Sequence, residues 1–339
     1  MAEVNRQIVL DQLPRGKLTP DHFRLAESPL PRPGDGEVLL RNRYISLDAA
    51  NRAWMQGATY RSALNAGDVM AGGALAEVME SRAPHLQAGD PVYADTGWQD
   101  YAVMSAEHLA ALPRTEPETH LLSVYGLAGP TAYFGLLKCG QPKAGETVVV
   151  SAAAGSVGSL AGQIAKIKGC RVIGVAGGAA KSAMLVKDFG FDEVVDYKAG
   201  DVRRALRAAC PDGIDVYFDN VGGDIFEAAL FNMANHGRIV CCGAVSQYDG
   251  DAPAHGPRGV PGLIVTRRLT LAGFVVTDFQ DEHEAALAQL KSWVESGEIK
   301  VAEDVIDGLE RLPDALIGLL AGENLGKRMV RVGGTPCPN

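Results

Sequence analysis

The amino-acid sequence predicts an α/β fold with two domains, one of which contains a doubly wound parallel sheet. In segment 147–169, a β-branched run, a turn of small residues and an amphipathic helix follow one another. Two further β runs follow this helix, at 171–175 and 193–197, so strands and helices alternate as in a parallel sheet. Residues 1–125 contain mainly short β runs separated by Gly and Pro, which indicates a second, β-rich domain.

The turn at 152–158 contains a dinucleotide-binding fingerprint. Gly155 and Gly158 fill the second and third glycine positions of G-x-G-x-x-G, and Ala153 occupies the first. Small residues are required because a pyrophosphate approaches the backbone and binds free N–H groups at the helix N-terminus. A lone match is weak evidence, since an ordinary glycine-rich turn looks the same, but the βαβαβ order around it favours a nucleotide site. Ser156 is expected to bond phosphate.

The end of the second strand favours NADP(H) over NAD(H). An NAD site usually has Asp or Glu about 20 residues after the fingerprint, to bind the ribose 2′-hydroxyl. Ala176 and Gly177 stand there instead, and the ammonium group of Lys181 can reach a 2′-phosphate. We expect a preference of about 1–3 kcal/mol for NADP(H). The alternative interpretation of Lys181 is a solvated charge in the first turn of a helix.

Length and composition are those of a globular protein. The 339 residues suffice for two domains, or for one domain inserted in another, and 47% of them are hydrophobic. A net charge of −9 argues against nucleic acid as a partner. No apolar run approaches the ~18 residues of a membrane helix, and the N-terminal segment lacks a secretory signal. Six scattered cysteines without C-x-x-C spacing favour a reducing compartment, by default the cytoplasm.

The simplest domain organisation places residues 126–296 in the doubly wound domain, with 1–125 and 297–339 folded together as the other domain. Segment 246–262 has four Gly, three Pro and no periodicity, which predicts a functional or mobile loop. Segment 226–233 is predicted to be a helix and 333–339 a frayed tail.

The sequence resembles the medium-chain dehydrogenase/reductase family, and more narrowly its zinc-independent prostaglandin reductases and alkenal double-bond (curcumin-type) reductases. The resemblance covers nearly the whole chain and rests on segments 5–7, 47–52, 130–136, 152–159, 219–223, 273–276 and 323–327. It implies a Rossmann domain inserted in a GroES-like β-barrel domain built from both chain ends. It also implies a homodimer, and reduction of the carbon–carbon double bond of α,β-unsaturated aldehydes and ketones.

The resemblance further implies a set of NADP(H) contacts. Residues 155–158 would hold the pyrophosphate, and Lys181 and Tyr197 the adenosine phosphate end, while the others would line the ribose and nicotinamide. The implied contacts are Thr131, Gly155, Ser156, Val157, Gly158, Lys181, Tyr197, Asn220, Cys242, Gly243, Ala244, Ser246, Tyr248, Phe274, Val275, Val276 and Asn324.

No metal is predicted. Zinc dehydrogenases typically supply a Cys near the position of Asp48 and a Gly-His-Glu near Gly72, whereas this sequence reads SLDAANR and AGGALAE there.

Two segments differ from those of the family that the sequence resembles. Relatives often read Asp-Pro-Tyr-Met-Arg where this chain has Asp48-Ala49-Ala50-Asn51-Arg52, and many carry Tyr at the position of Thr266. The first difference leaves the size of the substrate pocket open, and the second means that acid–base roles proposed for that Tyr do not transfer to this chain.

Hydride addition to the β-carbon of an enal or enone is the chemistry that these features favour, because the substrate carbonyl itself accepts the electrons. The carbonyl oxygen then needs a hydrogen-bond donor; the nicotinamide ribose hydroxyl can serve, and Tyr248 is the best side-chain candidate. Arg52 is the second candidate catalytic residue. The alternatives are a packing aromatic for Tyr248 and a surface salt bridge for Arg52. An NADPH quinone reductase, or an NADPH-binding structural or regulatory protein with little catalysis, remain competing functions.

Overall fold

A computed structural model describes residues 4–57, 62–250 and 256–332, which form a parallel sheet, a mixed sheet and a two-stranded ribbon. The strands are β1 (Val4–Leu10), β2 (Phe23–Pro29), β3 (Glu37–Ser46), β4 (Ala74–Ser81), β5 (Pro91–Ala94), β6 (Tyr101–Ser105), β7 (Thr147–Ser151), β8 (Arg171–Ala176), β9 (Glu193–Asp196), β10 (Ile214–Asp219), β11 (Met233–Cys241), β12 (Thr270–Gly273), β13 (Glu303–Asp307) and β14 (Lys327–Arg331). The helices are α1 (Ala50–Ala53), α2 (Ala128–Phe134), α3 (Ser156–Ile167), α4 (Ala179–Lys187), α5 (Val202–Ala209), α6 (Gly223–Leu230), α7 (Val260–Arg267), α8 (His283–Glu295) and α9 (Leu312–Leu320).

The parallel sheet has the strand order β12-β11-β10-β7-β8-β9, and each neighbouring pair is parallel. The chain runs outward from β7 to one edge and then from β10 to the other, so the direction of winding reverses between β7 and β10. Val148, Val149 and Val150 of β7 are fully buried, as a central strand covered on both faces requires. This Rossmann sheet confirms the predicted fold class.

The mixed sheet is built from both ends of the chain. Its central strand β3 pairs antiparallel with β4, β6 and β14, and β14 pairs parallel with β13. The core beneath it joins Ile8 and Trp98 from the first part of the chain to Leu316 and Val330 from the last part. A GroES-like domain formed by both chain ends is therefore confirmed, while the exact boundaries at 125/126 and 296/297 remain a prediction.

Two of the sequence-based boundaries are wrong. The predicted helix at 226–233 ends at Leu230, because Met233 pairs with Ile214 as the first residue of β11. The predicted loop at 246–262 contains the start of α7, whose Pro261 stands in its first turn. Helix α7 has no fully buried residue; Val260, Leu263 and Ile264 pack half-buried against the core, an apolar stripe of only two turns that follows the Gly- and Pro-rich stretch. The predicted tail at 333–339 lies outside the described residues.

Within the described ranges, the structure contains no helix that is both long enough and apolar enough to span a membrane.

Candidate functional site

The fingerprint turn between β7 and α3 is shaped by close approach of the backbone to itself. A Cβ atom added at Gly158 would lie 2.3 Å from the carbonyl oxygen of Ala152, so only glycine fits there. Ala153 can occupy the first fingerprint position because Gly174 on β8 leaves room for it: a Cβ at Gly174 would lie 3.0 Å from Cβ of Ala153. This pairing between neighbouring strands was not visible in the fingerprint alone.

The N-terminus of α3 offers unpaired donors at this turn. Gly155 is the N-cap residue, and no side chain caps the helix. The hydroxyl of Ser156 is buried and has no hydrogen-bond partner among the described residues. A buried unpaired hydroxyl costs about 1–3 kcal/mol, and a phosphate oxygen would satisfy it together with the free N–H groups of the first turn. The turn therefore fits a pyrophosphate, and Val157 lies half-buried within it.

Cationic side chains gather where the adenosine end of a dinucleotide would lie. Lys181 Nζ donates to the carbonyl of Gly322 at 2.7 Å. Burial is the main cause that lowers the pKa of Lys181, and the nearby charges of Lys198 and Arg328 lower it further. Lys198 lies 5.8 Å from the ring centre of Tyr197, and a Cβ at Gly177 would lie 2.9 Å from both side chains. A 2′-phosphate would relieve this repulsion. The sequence analysis proposed Lys181 and Tyr197 and did not include Lys198.

Asp219, at the end of β10, organises the carboxyl edge of the parallel sheet. Its Oδ1 accepts hydrogen bonds from Ser151 Oγ at 3.0 Å, Tyr217 Oη at 2.7 Å and the backbone N–H groups of Val221 and Gly222 at 3.0 and 3.1 Å. Burial and the neighbouring Asp219 raise the pKa of Tyr217 well above its usual value. The network fixes the turn in which the backbone changes from strand to helix.

Asn220 is held at the same edge by β7. Its Nδ2 donates to the carbonyl of Ser151 at 2.7 Å, and its backbone N–H donates to Ser151 Oγ at 2.8 Å. Ser151 was not singled out in the sequence, because a Ser at the end of an apolar strand carries no distinctive pattern.

The segment after β11 folds back over Asp219 and brings the predicted residues 242–248 together. Backbone N–H groups of Cys242 and Gly243 donate to the carbonyl of Asp219 at 2.8 and 3.1 Å, and Ser246 Oγ donates to the carbonyl of Val221 at 2.6 Å. Burial and the Asp219 charge raise the pKa of the Cys242 thiol to about 12. This thiol therefore stays protonated and is a poor nucleophile.

Tyr248 is the last residue of this segment, and its phenol lies against the backbone at Ala244. Its hydroxyl oxygen accepts a hydrogen bond from the N–H of Ala244 at 3.2 Å. Because the oxygen acts as acceptor there, the O–H proton remains able to be donated. The arrangement fits a donor to a carbonyl oxygen at the carboxyl edge of the sheet.

Arg52 is buried, with 1% of its side chain exposed, which argues against the alternative of a surface salt bridge. Its Nε donates to Oδ1 of Asp249 at 3.1 Å and its Nη2 to the carbonyl of Gly16 at 2.7 Å. Its Nη1 is buried without a partner among the described residues. The residue lines a cavity of about 880 Å³ together with Gln12, Leu13, Pro14, Arg15, His22, Met55, Gln56, Ala66 and Gly250. Sequence reasoning missed Asp249.

Asn324 lies in a loop from the C-terminal part of the chain that docks on the fingerprint turn. Asn324 Nδ2 donates to the carbonyl of Gly326 at 2.8 Å, and the N–H of Gly326 donates to the carbonyl of Ala154 at the same distance. Gly326 also forms a β-bridge with Gly155. Asn324 is thereby fixed beside the α3 N-terminus.

The remaining predicted contacts lie on α2 and after β12. Thr131 Oγ1 donates to the carbonyl of Leu127 at 2.7 Å within α2. Phe274 packs against the start of the helical segment that directly follows α2, since a Cβ at Gly135 would lie 2.5 Å from its ring. The N–H of Val275 donates to Asp278 at 3.1 Å, and Val276 begins a short 3-10 segment.

Asp48, near the position where zinc dehydrogenases typically supply a Cys ligand, takes part in an ion pair. Asp48 Oδ1 accepts a hydrogen bond from the ammonium group of Lys327, which is 3% exposed. Among the residues that the structure describes, no group of three or more His, Cys, Asp or Glu could hold a metal ion. The absence of a metal requirement remains a prediction.

A Rossmann sheet with a phosphate-binding turn, joined to a β domain from both chain ends, defines a two-domain dinucleotide-dependent oxidoreductase. The chain belongs to the zinc-independent medium-chain dehydrogenase/reductase family. Residues 6–112 match the family model described as the N-terminal domain of oxidoreductase, and residues 156–292 match that of zinc-binding dehydrogenase.

Relatives with known names resemble the whole chain. The NADPH-dependent curcumin reductase of Escherichia coli, strain K12, is 43% identical over 97% of this chain and 97% of its own length. Prostaglandin reductase 1 of Bos taurus is 43% identical over 93% of this chain and 95% of its own. The crystal structure of CurA from Vibrio vulnificus in complex with NADPH is 40% identical, with a TM-score of 0.92, and covers 97% of this chain and 100% of that one.

Proposed function

We propose that this protein is an NADPH-dependent reductase of the carbon–carbon double bond in α,β-unsaturated aldehydes and ketones. The observation that carries the proposal is the Tyr248 hydroxyl, which keeps its proton available at the carboxyl edge of a sheet built for a dinucleotide. The NADPH-dependent curcumin reductase and prostaglandin reductase 1 named above support the cofactor and the reaction class.

The chain's own residues supply binding and charge stabilisation. The α3 N-terminus with Ser156 would hold the pyrophosphate, and Lys181 and Lys198 the 2′-phosphate. Bound NADPH supplies the hydride that adds to the β-carbon of the substrate. Tyr248 donates a hydrogen bond to the carbonyl oxygen, where negative charge develops, and one such donor is worth roughly 10²–10³ in rate. Solvent then delivers a proton to the α-carbon.

A substrate panel tests the reaction class. Purified protein is assayed for NADPH oxidation with a 2-alkenal, an enone or a naphthoquinone, and for NADP⁺ reduction with a saturated alcohol. We expect turnover of the alkenal and the enone. Faster turnover of the naphthoquinone would favour the quinone reductase, and NADPH binding without any oxidation would favour a structural or regulatory protein.

The Tyr248→Phe variant tests the role of the phenol. Phe keeps the ring but removes the O–H, so we expect kcat/KM for the enone to fall about 10²-fold while the NADPH dissociation constant stays unchanged. Tyr93→Phe is the control, because Tyr93 is 47% exposed on β5 of the mixed sheet. Unchanged kcat/KM in Tyr248→Phe would remove Tyr248 from the mechanism.

We also propose a cytoplasmic homodimer that needs no metal. The strand β12 lies at the edge of the parallel sheet and, within the described residues, pairs with β11 alone. Val265 and Val275 on either side of it are 74% and 48% exposed. Pairing of β12 with its copy across a two-fold axis would cover this edge. Light scattering in solution should give twice the chain mass of 35.7 kDa, and a monomer would contradict the proposal.

A further inference from the structure

Residues from the first part of the chain form hydrogen bonds to the segment that carries Tyr248. Oδ1 of Asp249, the residue after Tyr248, accepts from Arg52 Nε at 3.1 Å and from the backbone N–H of Leu18 at 2.7 Å. Gln56 Nε2 donates to the carbonyl of Tyr248 at 2.9 Å. We refer to Leu18, Arg52, Gln56 and Asp249 as the Asp249 clasp.

The clasp joins elements that are distant in the sequence. Arg52 and Gln56 belong to α1 and the turn after it, next to the mixed sheet, whereas Asp249 follows β11 of the parallel sheet. Tyr248 is therefore fixed from two directions. Its phenol is held by Ala244 within the parallel-sheet half, and its main chain is held by the other half.

Burial makes the charged part of the clasp a strong constraint. The side chains of Arg52 and Asp249 are 1% and 13% exposed. A guanidinium group that loses its carboxylate partner in such surroundings is left as an uncompensated buried charge. Separating Asp249 from Arg52 is therefore unfavourable, and the two side chains stay together. This fixes the position of Tyr248, the residue directly before Asp249.

We propose that Asp249 is a positioning residue that holds the Tyr248 hydroxyl where it can donate to the substrate carbonyl. The inference rests on the proposed function, and it gives Arg52 the same positioning role. Arg52, Gln56 and Gly250 also line the cavity of about 880 Å³, so a substrate that enters the cavity lies against the clasp.

A double-mutant cycle separates positioning from simple stabilisation. In the wild-type background, Asp249→Ala is expected to lower kcat for the enone at least tenfold, with a smaller change in KM. In the Tyr248→Phe background, the same substitution is expected to change kcat less than twofold, because the group that it positions is already absent. Equal effects in both backgrounds would overturn the proposal.

Two further variants guard against misfolding. Asp249→Asn preserves size and an acceptor for the Leu18 N–H, and is expected to recover part of the lost kcat. Gln56 has an exposed side chain that donates to the Tyr248 carbonyl, and Gln56→Leu removes this hydrogen bond. The effect of Gln56→Leu is expected to show the same dependence on Tyr248.

Asp11→Ala is the matched control, because Asp11 forms an exposed ion pair with Arg24 in the same part of the chain. A loss of kcat in Asp11→Ala equal to that in Asp249→Ala would contradict the specific role of the clasp.

Amide hydrogen exchange in the cofactor-free protein gives a readout that does not depend on turnover. Asp249→Ala is expected to speed exchange of the amides of residues 244–248 at least tenfold and to leave those of β7 unchanged. Unchanged exchange at 244–248 would refute the clasp even in an active enzyme. If wild-type protein turned over no enone, the proposed function would fail, whereas the exchange experiment would still decide whether the clasp holds the segment.

Discussion

We expect a few individual residues to set the cofactor preference of this chain, and only some of them were predictable from the sequence. Ala176 and Gly177 at the end of β8 leave out the carboxylate that would repel a 2′-phosphate, and Lys181 follows within the same segment. This part was predictable because it is local. Lys198 comes from the end of a different strand, β9, and reaches the site only because Gly177 leaves space for its side chain. Such a contact requires the three-dimensional register of β8 and β9.

Removing Lys198 is therefore expected to weaken NADPH specificity. In Lys198→Ala, one of the charges that faces the 2′-phosphate is lost, so the ratio of kcat/KM for NADPH over NADH should fall about tenfold, within the 1–3 kcal/mol typical of hydrogen bonds to charged groups. Lys181→Ala should act in the same direction. Lys187→Ala, at the opposite end of α4, is the control and should leave the ratio unchanged. An unaltered ratio in Lys198→Ala would show that Lys198 stays in solvent.

At the scale of elements, β7, its turn and α3 were predicted almost residue by residue. The signals there are strong: a fully buried β-branched strand, a glycine pattern and a helix with Leu160 and Ile164 facing the core. Helix α7 was missed because its apolar positions Val260, Leu263 and Ile264 are only half-buried and span two turns directly after a segment rich in Gly and Pro. Short α1 escaped notice for a related reason, since its four residues are fewer than a period analysis needs.

The turn before α3 should be intolerant of a single added carbon. In Gly158→Ala, the new Cβ would lie 2.3 Å from the carbonyl of Ala152, so the turn must shift. We expect a loss of about 1–3 kcal/mol in the free energy of unfolding, as for other overpacked sites, and weaker NADPH binding. Urea unfolding and a binding titration measure both. Gly262→Ala is the control, because open space surrounds that position; similar losses in both variants would argue against the steric cause.

At the scale of the whole molecule, the first and last parts of the chain meet in one sheet, and an ion pair between half-buried Asp48 and buried Lys327 joins them there. Lys327, the first residue of β14, lies beside Asp48, which follows β3. Burial alone would raise the pKa of Asp48, but the ammonium of Lys327 and the hydroxyl of Ser46 outweigh it and hold the pKa below its ordinary value of 3.8. Asp48 was noted in the sequence only as a missing zinc ligand; its partner lies 279 positions away, beyond any local pattern.

The pH dependence of stability should report on this pair. Because the pKa of Asp48 is lower in the folded than in the unfolded chain, its contribution is fully present above about pH 4 and is lost as the pH falls through the lower folded value. Asp48→Asn should thus lower the free energy of unfolding by about 1–3 kcal/mol at pH 7, and the difference from wild type should shrink below pH 4. Denaturant titrations across this range measure it. A difference that persists unchanged in acid would mean that the charge of Asp48 is not its cause.

The hydrogen bond from Gly326 to Ala154 carries a consequence for synthesis. Ribosomes extend a polypeptide from its N-terminus, and domains generally fold as they emerge. The turn at 152–158, which we expect to bind the coenzyme, is translated long before Gly326, whose N–H donates to it. We therefore expect the contact between Gly326 and this turn to form late in synthesis, after residue 326 has left the ribosomal exit tunnel.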